Sequence, residues 1–248
     1  MRARMLLSLN VTLLLAVSLA LAQPHSGDLW LAVSAGGQLK FSPRGFVPDG
    51  TADAVVVLEE THGPLLFGWT DNNPGFDDIE QSDPENDCYP LAPGAQVWLE
   101  IVQVDPAFVV WDVQLRPYFT PGDRVYLGSS PGQVHTHLIW HINSQYPNFQ
   151  QLYGLKVRWR AQFRLVDTGG TAYMPSNDFP MIFATVSCTP GDINDDGQVG
   201  FGDINPFINV MSAPQQADAR QRCAADVNLD GWADFGDINP FVKLLAGL

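Results

Sequence analysis

A mainly β domain followed by a small helical one is the fold class that this 248-residue sequence predicts. Three observations carry the prediction. From about residue 28 to residue 187 the chain is rich in Val, Trp, Phe and Tyr, broken repeatedly by Gly and Pro. Two of its segments alternate apolar and polar residues with the period of a strand. After Cys188 the composition changes, and the heptapeptide Phe-Gly-Asp-Ile-Asn-Pro-Phe occurs at both 201–207 and 235–241. An identical seven-residue repeat marks an internal duplication.

The chain opens as a secretory leader does. Arg2 and Arg4 supply a positive end, Met5 to Leu19 is almost wholly apolar, and Ala20-Leu21-Ala22 fits the small-x-small cleavage rule. The predicted division is a signal peptide over 1–22, a β domain over 23–188 and a helical module over 189–248. A membrane anchor is the alternative for the leader, but Asn10 and Thr12 interrupt the run. No later segment is long and apolar enough to span a bilayer, so the mature protein is expected to be secreted or held at the cell surface. The chain carries 13 Lys+Arg against 27 Asp+Glu, a formal net charge of −14. Such a surplus repels nucleic acid and anionic membranes and argues against both as partners. It also suggests that cations neutralise some of the carboxylates. Three cysteines in an oxidising compartment predict one disulfide and one unpaired thiol, with the pairing among Cys88, Cys188 and Cys223 left open.

The expected strands are 28–34, 54–60, 96–105, 108–115, 134–143, 155–167 and 181–187. Many short strands with turn signals between them, and no long helical period, read as a β-sandwich or jelly roll. Along 155–166, Leu155, Val157, Trp159, Ala161, Phe163 and Leu165 share the core face. Lys156, Arg158, Arg160, Gln162 and Arg164 share the other, which is read as solvated or as the counter-charge of an acidic loop. Along 134–143, Val134, Thr136, Leu138, Trp140 and Ile142 form the core face, and His135, His137, Ile139 and His141 point away from it. Imidazoles two residues apart on a strand can chelate one metal, with zinc the natural ion. His135 and His137 are the candidate pair, His62 a third ligand from a neighbouring strand, and His141 a more distant member. A solvated polar face is the alternative. The acid-dense stretch 71–88 reads as a solvated loop or a further calcium site.

The duplicated module fits a calcium-loop template with oxygen ligands at positions 1, 3, 5, 7, 9 and 12 and glycine at position 6. The first copy places Asp192, Asn194, Asp196, Gln198 (through its carbonyl) and Asp203 at ligand positions, with Gly197 at the turn. Gly200 leaves position 9 without a side chain, so the first site is expected to be the weaker. The second copy places Asp226, Asn228, Asp230, Trp232 (carbonyl), Asp234 and Asp237, with Gly231 at the turn. Two calcium ions are therefore expected. Helices are predicted near 203–211 and 237–245, with Pro206 and Pro240 in their first turns, where the missing N–H costs little. Ile204, Phe207, Ile208 and Met211 form one apolar stripe, and Ile238, Phe241, Val242 and Leu245 form another. The segment carries nine Asp, no Glu and three basic residues, so ions are expected to be needed for it to fold.

Two loop–helix copies of this length, each closing on Asp with a single helix after it, resemble a type I dockerin, an EF-hand-like calcium module. The resemblance covers about residues 189–248. It implies calcium-dependent docking onto a cohesin-like partner, usually to place a secreted protein on a scaffold or surface. A small polar pair at loop positions 10 and 11 often selects the cohesin. Here those positions hold Phe201-Gly202 and Phe235-Gly236, which suggests an apolar anchor, or alternatively a plug for the module's own core. The same pair in both copies implies that a half-turn would present a similar surface twice.

Dockerins often accompany polysaccharide-degrading enzymes. The chain has no Gly-x-Ser-x-Gly elbow, HExxH motif or phosphate loop. Paired carboxylates for sugar hydrolysis have only Glu59, Glu60 and Glu100 as strand-borne candidates. Trp30, Trp69, Trp98, Trp111, Trp140 and Trp159 offer faces for stacking on a polysaccharide, although Trp140 and Trp159 belong by pattern to the core. The expectation is a non-catalytic β domain binding metal or carbohydrate, tethered through its docking module. A small O-glycosyl hydrolase and a structural surface protein are the alternatives.

Overall fold

A computed structural model describes residues 27–63, 65–130 and 134–247; the predicted leader lies outside them. The N-terminal strands are β1 (Leu29–Val33), β2 (Leu39–Phe41), β3 (Val55–Val57), β4 (Glu59–His62), β5 (Phe67–Asp71), β6 (Phe76–Asp78) and β7 (Gln96–Val104). They continue with β8 (Phe108–Trp111), β9 (Pro117–Tyr118), β10 (Arg124–Ser129), β11 (His135–Thr136) and β12 (Ile139–Asn143). A short helix α1 (Phe149–Tyr153) then precedes β13 (Arg158–Asp167) and β14 (Phe179–Ala184).

These strands build a sandwich. One five-stranded sheet runs β10-β7-β13-β14-β3 and the other β4-β5-β12-β8-β9, while β11-β6-β1-β2 form a four-stranded sheet. Period-two patterning decides which side of each strand faces in. On β7, Val97, Leu99 and Ile101 are wholly buried between more exposed neighbours. The two larger sheets meet through aromatic side chains. Trp140 on β12 lies 5.7 Å from Phe163 on β13 and 5.3 Å from Phe183 on β14, and Phe108 on β8 lies 4.6 Å from Phe183. Burying a side chain of this size contributes about 2–3 kcal/mol, so this cluster dominates the core.

Two expected strands are broken. The stretch predicted over 54–60 divides at buried Leu58: β3 pairs with β14 in one sheet and β4 with β5 in the other. A strand that changes sheets is how a sandwich turns a corner. The stretch over 134–143 divides into β11, which pairs with β6, and β12, which lies between β5 and β8. Its predicted core face holds for Val134, Leu138, Trp140 and Ile142, all wholly buried.

The C-terminal part is helical. Each loop enters a single tight turn, Phe201–Asp203 or Phe235–Asp237, which runs into α2 (Ile204–Ser212) or α4 (Ile238–Leu245). A further helix, α3 (Ala219–Ala225), joins α2 to the second loop. Sequence reading missed it, yet Asp218 caps it by accepting from the Gln221 amide, and the Gln221 side chain returns to Asp218. Phe207 and Phe241, equivalent residues of the two copies, stack at 4.2 Å and 15°, and Ile193, Val210, Ala224 and Ala225 complete a small core. Cys188 and Cys223 form a disulfide between the end of the β domain and α3, and Cys88 is the buried free thiol.

Candidate functional site

The two loops have the same internal architecture because their sequences place the same groups at the same spacing. Asn194 Oδ1 accepts from the Asp196 amide and Asn228 Oδ1 from the Asp230 amide, at 3.0 and 2.9 Å. Asp196 Oδ1 accepts from Gln198 N–H and Asp230 Oδ1 from Trp232 N–H. The closing carboxylates fold back on their own loops. Asp203 accepts from the Ile193, Asn194 and Gly200 amides, and Asp237 from those of Asn228 and Asp234. Gly197 and Gly231 have φ of 83° and 101°, the conformation that turns each loop back.

These side chains make an oxygen-rich, charge-crowded arrangement that suits a hard divalent cation. Asp192, Asp203, Asp226 and Asp237 are all essentially buried. Burial, reinforced by the nearby Asp226 and Asp230 carboxylates, raises the Asp237 pKa to about 6 despite its amide hydrogen bonds. Burial raises Asp226 as well, opposed by Arg158, and Asp226 Oδ1 is buried with no hydrogen-bond partner. An oxygen left in that state is the kind of group a cation satisfies. Among the described residues no three His, Cys, Asp or Glu side chains converge as closely as bound metal would require. In the loops the carboxylates are turned onto backbone amides instead.

The surroundings of the two loops differ. Asn194, Asp195, Asp196 and Gly197 are exposed, whereas Leu229 and Gly231 are buried and Asn228 and Asp230 half-buried. The second loop lies against the start of β13. Val157 N–H donates to the Gly231 carbonyl at 3.1 Å, and Lys156 Nζ sits 5.5 Å over the Trp232 ring while pairing with Asp105. Arg158 is 1% exposed. Its Nη1 donates to the carbonyls of Cys223 and Asp226 and to Asp226 Oδ2, at 2.8, 3.0 and 2.8 Å. The basic row of β13 is thus solvated only in part. Arg160 and Gln162 are exposed, but Lys156 is half-buried against Asp105 and Arg158 is a buried counter-charge, because other parts of the chain pack on them.

Phe201 and Phe235 are 85% and 80% exposed, so they do not plug the module's core. The helical stripes are likewise only half consumed. Phe207 and Phe241 are buried, but Ile208, Ile238 and Val242 face outward. With Met211, Phe235 and Leu245 they line a groove of about 450 Å³ that is almost entirely apolar.

The four histidines do not form one cluster: His135 and His137 are neighbours, and His62 and His141 lie apart from them. His141 is buried with both ring nitrogens engaged, one by Trp111 Nε1 and the other with the Phe67 carbonyl, and burial lowers its pKa. His62 is 79% exposed on β4, 3.6 Å from Glu60. His135 and His137 have ring centroids 5.5 Å apart, and each meets a carboxylate: His135 Nδ1 lies 2.6 Å from Asp77, and His137 Nε2 3.7 Å from Asp28. The break between β11 and β12 separates His141 from the other two. The acid-dense stretch over 71–88 is not wholly solvated either, since Asp77 and Asp83 turn inward to His135 and Arg44.

The remaining sequence candidates scatter over the sandwich. Glu100 is held in ion pairs by Arg124 and Arg164, and Glu59 and Glu60 are exposed on β4. Trp140 and Trp159 are core residues, Trp69 stacks on Phe149, and Trp98 lies 5.0 Å from Tyr126. Among the described residues, no helix is long and apolar enough to cross a membrane.

Residues 190–239, both loops and the first two residues of α4, match the family described as the dockerin type I domain. The sandwich before them is outside that match. No curated protein and no solved structure matches the chain.

Proposed function

We propose that residues 189–248 bind two calcium ions and dock the β-sandwich onto a cohesin-like partner outside the cell. Asp192, Asn194, Asp196, Gln198 and Asp203 would hold one ion, and Asp226, Asn228, Asp230, Trp232, Asp234 and Asp237 the other, with Gln198 and Trp232 acting through their carbonyls. Bound calcium would supply positive charge to two crowded carboxylate sets, each with two buried members. The observation that carries the docking reading is the apolar groove between α2 and α4, flanked by Phe235 and left open although it is lined by core-type residues. Phe235 at the groove and the equally exposed Phe201, which lies outside its lining, are the apolar anchors, and Gly202 and Gly236 keep the backbone beside them bare. The sandwich is the cargo. Its strand-borne glutamates lie on exposed surface or in arginine pairs, which favours a non-catalytic role over sugar hydrolysis.

The test is a calcium titration of the mature chain by calorimetry, followed by binding to a panel of type I cohesin domains with calcium and with EDTA. Two bound ions and calcium-dependent capture are expected. Phe201→Ala with Phe235→Ala should weaken capture at least tenfold and change stability by less than about 0.5 kcal/mol, since both rings are exposed. No calcium uptake at millimolar concentration would refute the proposal.

A further inference from the structure

A buried guanidinium from the sandwich reaches into the second loop, and the first loop has no counterpart. Asp226 Oδ2 accepts from Arg158 Nη1 at 2.8 Å and from the Gly231 amide at 3.0 Å, with Arg158 and Asp226 both essentially inaccessible to solvent. The equivalent Asp192 carboxylate accepts from the Asp196 and Gly197 amides, and Arg220 donates to Asp192 only at its backbone carbonyl, at 3.4 and 3.5 Å. That guanidinium stays 3.9 Å from the Asp192 carboxylate and pairs with exposed Asp195. Screening by water leaves that outer pair weak, whereas a dry, multiply hydrogen-bonded pair fixes geometry. Three further contacts hold the same junction: the Val157–Gly231 backbone hydrogen bond, the Cys188–Cys223 disulfide, and the close approach of Gly231 to the Arg158 carbonyl.

We infer that Arg158 is a built-in counter-charge for the second loop, mounting the module on the sandwich with or without calcium, so that only the first loop depends on added ion for its order. Arg158 is a positioning residue in this scheme: it holds Asp226 by one carboxylate oxygen and leaves the other for an ion. Its burial is offset at Nη1 by the two carbonyls and the carboxylate that receive it, while Nε is buried without a hydrogen-bond partner. The docking groove is consequently presented in a fixed attitude to the cargo and not on a swinging tether. The inference rests on the calcium-loop reading and deepens it.

Hydrogen exchange of the intact chain, read by mass spectrometry in millimolar calcium and in EDTA, tests it. In the wild type, chelation should speed exchange of amides in 192–203 by on the order of 100-fold or more, and of those in 226–237 by less than about tenfold. In Arg158→Met the second loop should respond to chelation as the first does. In Arg158→Lys, which keeps the charge but not the planar fork, the response should be intermediate. Peptides around Trp140 report whether each variant's sandwich is folded, and the wild-type comparison decides the matter if Arg158→Met does not fold. Equal loss of protection in both wild-type loops, or a folded Arg158→Met with an unchanged second loop, overturns this inference alone. No calcium effect in either loop overturns it together with the ion-binding reading.

Discussion

Replacing Gly231 with Ala should destabilise the C-terminal module far more than the same change at Gly197, although both are turn glycines of duplicated loops. Each has a left-handed φ, 101° and 83°, and an L-residue there costs roughly 1–2 kcal/mol. That cost is common to the two. A Cβ at Gly197 would meet nothing within 4 Å, while one at Gly231 would lie 2.3 Å from the Arg158 carbonyl oxygen and 2.8 Å from Lys156 Cε. The lysine can swing away but the carbonyl is backbone. The loop must withdraw, which gives up the 3.1 Å hydrogen bond from Val157 to the Gly231 carbonyl. Orphaning one buried amide costs about 1–3 kcal/mol, so Gly231→Ala should cost about 2–5 kcal/mol against about 1–2 for Gly197→Ala. Urea denaturation of the mature protein in saturating calcium, followed by tryptophan fluorescence, measures both, because Trp232 lies at the junction. Two variants within about 0.5 kcal/mol of each other would show that the second loop does not press on β13.

Three other outcomes are expected. His141 has its pKa lowered by burial from an ordinary 6.5, so its contribution to sandwich stability is complete above pH 6.5 and declines as the pH falls below it. Urea midpoints at pH 8, 6 and 5 should show that decline in the wild type and a smaller one in His141→Gln. Changing Cys188 and Cys223 together to Ser opens a 35-residue separation, and loop-closure entropy puts the loss near 4 kcal/mol, readable by denaturation with and without reductant. Asp112→Asn should lower stability by about 1–3 kcal/mol, because the buried carboxylate accepts from the Gln114 and Arg116 amides, Arg116 Nε and Tyr118 O–H; an unchanged urea midpoint would contradict it.

Local rules made the duplicated loops legible: glycine at the turn, oxygen-bearing side chains at alternate positions, proline in the first helical turn. The same holds for the inward faces of β7 and β13, where period two needs only one covered side. What escaped depends on a second layer. Arg158 and Lys156 sit on the outward row of β13, and nothing in strand alternation says that another domain will cover it. His141 shares a face with His135 and His137 only if the strand is continuous, and the chain changes partner strands between Thr136 and Ile139. Helix α3 was legible in principle, since Asp218 and Gln221 stand at capping-box spacing before an alanine-rich run. The disulfide was not, because three cysteines permit three pairings and only the fold sets two of them 6.0 Å apart at Cα.

The crosslink between Cys188 and Cys223 bears on where this protein can be cut. The family match begins at residue 190, which invites expression of the module from that point onward. Such a fragment would begin two residues after one half of its cystine and would carry a lone thiol on α3. It would also lack the arginine that faces Asp226, and would expose to water a loop surface that the parent keeps dry. Its affinity for ions, its tendency to dimerise through sulfur and its stability would then describe the truncation and not the protein. A fragment that preserves the parent's behaviour has to retain the end of the sandwich.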